Sequence, residues 1–151
     1  MDKILISEAI QGGNWYDCQY ERNDEQVHFK LRILAFRKTS VQEIKPDSDE
    51  HTEGVLWIME IEVVSLNKRP LEAYKVRRSI ELEDHEEFVF EVFTEGKLDS
   101  DEKSGLHRFS SWSSNPSLSP KIKAWGSILF RLPEEDAQYS LVIKNGSVIA
   151  A

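Results

Sequence analysis

The chain has 151 residues, 40% of them hydrophobic and 30% charged, which suits one globular domain and excludes a globally disordered chain. Nineteen Lys and Arg against 27 Asp and Glu leave a net charge of −8, the wrong sign for a nucleic-acid surface or an anionic membrane. Its single cysteine, Cys18, excludes an intrachain disulfide and a cysteine zinc cluster and reads as a small buried apolar side chain.

In chain order, MDKILISEAI has an apolar stretch of only three residues before Ser7 and Glu8, too short for a signal peptide, and ILI (4–6) reads as a short strand. No run approaches the roughly 18 apolar residues that span a bilayer, so no membrane span is expected. As written the chain is expected in the cytoplasm, as a monomer or small homo-oligomer; removal of an export signal would make it secreted or cell-surface instead. NWYDCQY (14–20) alternates Tyr16, Cys18 and Tyr20 with polar residues. VHFKLRILAF (27–36) places Val27, Phe29, Leu31, Ile33 and Ala35 on one face. GVLWIMEIEVVSL (54–66) aligns Val55, Trp57, Met59, Ile61 and Val63. Leu56 and Ile58 make its other face apolar at one end, as expected of a central strand covered there by something else.

YKVRRSIEL (74–82) and FVFEVF (88–93) read as a hairpin about a five-residue loop, with Leu82 opposite Phe88 and Ile80 opposite Phe90. Residues 94–123, rich in Gly, Ser and charge, show no strand pattern and read as one long loop, functional or mobile. Gly126 to Leu132 is a strand with Ile128, Phe130 and Leu132 inward, ended by Pro133. Pro-Glu-Glu-Asp then suits a helical turn. Tyr139, Leu141 and Ile143 resume the alternation, and Asn145-Gly146 predicts a type I′ turn from which 147–150 pairs back. Seven or eight strands without a helical stripe or internal repeat point to a single all-β domain over 1–151, an antiparallel sandwich with a long loop at 94–123. Trp57, Ile61, Phe90, Ile128 and Phe130 are its expected core.

The order of turns in VVSLNKRP (63–70), IELEDHEEFVF (80–90), SLSPKIKAWGSILFRLP (117–133) and YSLVIKNG (139–146) resembles the uncharacterised immunoglobulin-like domains of bacterial lipoproteins and secreted proteins, similar in fold to the mycobacterial immunoprotective antigen. The resemblance implies an immunoglobulin-like β-sandwich and supplies no enzymatic activity. The chain departs from the family in having no lipobox and in placing Ser119-Pro120-Lys121 where the family often has Pro-Gly.

Catalytic and metal motifs are weak. DSDEHTEG (47–54) and DSDEKSG (99–105) begin like calcium loops, but the sixth positions are Thr52 and Ser104 and the twelfth are Ile58 and Ser110, where an EF-hand needs Gly and Glu. Solvated acidic loops are the better reading, with no metal and no cofactor. The carboxylates around His85 sit at a hairpin tip, where water denies them the pKa shift that catalysis needs. His28 and His107 have no evident triad partner, and GxSxG, P-loop and HExxH motifs do not occur. Arg108, Phe109 and Trp112, in LHRFSSWSS (106–114), are the candidate partner-binding residues: large rings beside an arginine and adaptable serines compose many binding loops. The competing reading plugs the two rings into one end of the sandwich. The expected function is therefore non-catalytic binding of another macromolecule, with a protein as partner. The alternative is an enzyme or small-ligand protein using a cleft under the 94–123 loop.

Overall fold

Alternating apolar residues form strands because successive side chains on extended backbone point to opposite faces. The computed structural model describes residues 3–38, 54–93 and 117–151, and 44–46, 96–98 and 109–110 as backbone. In chain order its elements are β1 (Lys3–Leu5), α1 (Ile6–Gly12), β2 (Tyr16–Arg22), β3 (Glu25–Lys38), β4 (Ile44–Pro46), β5 (Val55–Ser65) and β6 (Leu71–Glu72). There follow α2 (Ala73–Arg77), β7 (Ile80–Asp84), β8 (Val89–Phe90), β9 (Gly96–Leu98), β10 (Phe109–Ser110), β11 (Ser117–Leu118), β12 (Lys123–Leu132), β13 (Tyr139–Ile143) and β14 (Gly146–Ala150).

The strands form a six-stranded sheet, β10-β12-β5-β3-β2-β14, and a four-stranded sheet, β1-β13-β7-β8, with two short pairs, β11-β6 and β4-β9. Apart from β10, which runs parallel to β12, the described strands pair antiparallel. This is a mostly antiparallel arrangement consistent with an all-β sandwich. Phe29, Leu31, Ile33, Met59, Ile61, Val63, Ile128 and Phe130 of the large sheet share one buried cluster with Ile4, Ile80, Leu82, Leu141 and Ile143 of the small one. Each such side chain contributes roughly 1.5–3 kcal/mol by leaving water. The two-faced strand also behaves as its pattern implies. β5 lies inside the large sheet, and Ile58 and Leu129 form a second buried cluster on the outer face, with Leu56 and Phe93 against it.

Several local expectations are corrected. Residues 74–79 do not extend a strand: Ala73 and Val76, three apart, bury one side of α2, and Tyr20 Oη donates to the Lys75 carbonyl at 2.6 Å. The middle hairpin pairs Leu82 with Phe90 and Glu83 with Val89, two positions tighter than the five-residue loop requires. Asp84 explains the shift, because its Oδ1 accepts the backbone N–H groups of Glu86 and Phe88, both at 2.9 Å, and closes a smaller turn. A bulge at Leu34 reverses the faces beyond Ile33, so Phe36 takes the inward position expected of Ala35. Ile61, Ile128 and Phe130 are fully buried, whereas Trp57 and Phe90 are only half-buried because they stand at the margin of the core. Pro133 ends β12 as expected, but 134–135 form a bend and no helical turn follows. Within 94–123 the backbone pairs at β9, β10 and β11, each with a strand distant in sequence. That non-local pairing leaves little alternation for a sequence reading to detect.

The type I′ geometry occurs elsewhere than expected. Asn23 and Asp24 both have positive φ, 52° and 64°, and join β2 to β3 with Arg22 opposite Glu25. At 143–146 only Asn145 has positive φ, and β14 does not pair back onto β13: it crosses to the other sheet and pairs with β2. α1 likewise departs from the strand pattern expected at the N-terminus. Ile6, Ala9 and Ile10 give it a short inward stripe, and Gly13 ends it at φ 61° by donating to the Ala9 carbonyl at 3.0 Å.

Candidate functional site

The bulge, the start of β5 and the start of β13 bring three rings together at one end of the two sheets. Phe36 stacks on Trp57 with ring centroids 4.8 Å apart and 23° between planes, and meets Tyr139 edge-on at 6.3 Å. Phe90 meets the other side of the group through Tyr139, at 5.9 Å and 80°. Such pairs contribute about 0.5–1.5 kcal/mol beyond simple burial and hold the rings in fixed orientations. Ile6, Ile10 and Ala137 join Phe36, Trp57 and Tyr139 around an open cleft of about 260 Å³, with Ser7 and Gln138 at its edge. Trp57 also lines a second cleft, of about 380 Å³, with Lys38, Val55, Pro133, Glu134, Glu135 and Asp136. Lys38 Nζ lies 6.0 Å from the Trp57 ring centroid. The indole therefore divides an apolar cleft from an acidic one.

Tyr139 is 6% exposed, and its Oη has no hydrogen-bond partner among the described residues. Burial, with Asp84 and Glu135 nearby, pushes the phenol up from its ordinary value, so it is a neutral hydroxyl at physiological pH. Among the described residues, neither cleft is lined by a histidine or a cysteine. The described lining offers ring faces to an apolar group and carboxylates to a cation.

Of the residues that sequence reasoning favoured, Phe109 opens β10 and pairs its backbone beside Gly126 at the edge of the large sheet, while Arg108 and Trp112 lie outside the described residues. The acidic loops at 47–53 and 99–105, with His51, and His107 lie outside them as well. His28 does have a carboxylate partner, contrary to expectation: its Nε2 lies 2.8 Å and 2.9 Å from the two carboxylate oxygens of Asp17. The pair is diagonal across β2 and β3, so only the register reveals it. His85 is exposed at the hairpin tip, 3.8 Å from Glu86. Cys18 is buried against the core, and burial, aided by Asp17, pushes its thiol far up, away from nucleophilic chemistry. Among the described residues no three His, Cys, Asp or Glu side chains are grouped to hold a metal ion, and no helix is long and apolar enough to cross a membrane.

Away from the clefts, Phe88 and Val89, neighbours on the middle hairpin, are 63% and 52% exposed. The clefts themselves could not be read from sequence. Trp57 reads there as core, and Phe36 falls on the wrong face until the bulge is known. No protein-family model, curated protein or solved structure matches the chain.

Proposed function

We propose that the chain is a non-catalytic interaction protein whose sheets present binding surfaces to another macromolecule. The aromatic cleft carries this reading. Phe36, Trp57 and Tyr139 are held rigidly by their mutual contacts, yet their margin stays open to a ligand. The exposed pair Phe88 and Val89 supports it further, since adjacent apolar side chains left in water commonly mark contact surfaces. An immunoglobulin-like kinship belongs to the same proposal and is supported by the order of turn motifs from Val63 to Gly146.

The test is capture from the native host by the whole chain and by its Trp57→Ala variant. A macromolecule retained by the first and lost by the second is the expected result. Saturable binding or turnover of small metabolites, with no macromolecule retained, would overturn the proposal in favour of an enzyme or small-ligand protein.

A further inference from the structure

We infer that the two clefts flanking Trp57 together dock an extended segment of a partner polypeptide that presents an apolar side chain close to a lysine or arginine. The inference rests on the binding reading above and adds the chemistry of the ligand. The first cleft is walled by Ile6, Ile10, Phe36, Ala137 and Tyr139, surfaces that favour an aliphatic or aromatic group. Among its described lining residues, the second presents Glu134, Glu135 and Asp136 against one positive charge, that of Lys38. All three carboxylates are exposed, and none is in an ion pair among the described residues. Charge complementarity thus selects a cation.

Lys38 adds an independent observation. Its ammonium lies 6.0 Å from the Trp57 ring centroid, over a ring whose quadrupole attracts a cation more strongly as water is excluded. The chain's own lysine occupies the position assigned to the partner's. A polypeptide fits better than a free amine because the clefts adjoin through one residue, and side chains two positions apart on an extended chain share a face. A phosphate-bearing ligand is disfavoured by the acidic wall and by the net charge of −8.

The experiment titrates the whole protein with two capped pentapeptides, Gly-Leu-Gly-Arg-Gly and Gly-Leu-Gly-Glu-Gly, and with butylammonium. Binding is read from the indole N–H resonance of Trp57, assigned with a Trp57→Phe variant. The arginine peptide should shift that resonance saturably and bind about tenfold more tightly than the glutamate peptide, as expected of a few exposed charge contacts and one cation–π contact. Lys38→Met should tighten the arginine peptide about two- to fivefold by vacating the ring. Replacing Glu134 and Glu135 by Gln and Asp136 by Asn should weaken it about tenfold, and added salt should do likewise. Equal binding of the two peptides, butylammonium as tight as the peptide, or no shift with either peptide would overturn the inference. If the peptides fail while Trp57-dependent capture of a host macromolecule persists, this inference falls and the binding reading stands; if both fail, both fall.

Discussion

Gly146 stands directly opposite Tyr20 where β14 joins β2, and the two backbones approach so closely that a Cβ on Gly146 would run into the Gln19 carbonyl oxygen and come within 2.6 Å of Tyr20 Cβ. The residue is glycine for want of space, since its φ is not positive. Gly146→Ala should therefore destabilise the protein by about 1–3 kcal/mol through overpacking, measured by urea denaturation. An unchanged midpoint would show that β14 can shift away from β2 without loss.

Phe130 is fully buried between the sheets, and Phe130→Ala should cost roughly 3–5 kcal/mol from lost transfer energy and the cavity left behind. Leu129, its neighbour on the outer face, is equally buried against Ile58, so Leu129→Ala should also cost about 2–5 kcal/mol. Chemical denaturation of the two variants checks both faces of β12. A loss below about 1 kcal/mol at Leu129 would show that the second cluster collapses around the gap.

Glu62, 3% exposed on the outer face, accepts hydrogen bonds from Arg32 and is 3.2 Å from Lys123 Nζ. Burial alone would raise its pKa, but the hydrogen bonds from Arg32 and Lys123 outweigh it and lower it below the ordinary carboxylate value. A carboxyl whose folded pKa is depressed binds fewer protons folded than unfolded. Its contribution is present above the unfolded value, about 4.3, and is lost as pH falls through the lower folded value. Glu62→Gln should cost about 1–3 kcal/mol at pH 7 and flatten this part of the acid limb, measured by denaturation across pH. A variant with the wild-type acid limb would show that other carboxylates carry it.

Glu87 has φ 70° in the middle hairpin, a conformation that costs a residue with a Cβ. Glu87→Gly should stabilise the protein by roughly 0.5–1 kcal/mol, whereas Asp84→Ala, which strands the N–H groups of Glu86 and Phe88, should destabilise it by about 1–3 kcal/mol. Opposite shifts in melting temperature are the expected readout. A shift in the same direction for both would mean that the turn is not held as described.

Alternation by itself determined which side chains face inward along most strands. Val27, Phe29, Leu31, Ile33, Met59, Ile61, Val63, Ile128, Phe130, Leu141 and Ile143 are all buried, because a face is set by neighbours two apart and needs no knowledge of partners. Pairing was decided only by the tertiary structure. Asn145-Gly146 carries a hairpin signal, yet β14 leaves β13 for β2, since burial of Val148 within the common core and the tight fit of Gly146 on β2 outweigh a local turn preference. The cleft followed from the same level. One extra residue at Leu34 turns Phe36 onto Trp57, and only the packing of the two sheets brings Tyr139 against Phe36. Period two names faces; it carries no information about a bulge or about which face meets which, because both depend on contacts between segments far apart in the chain.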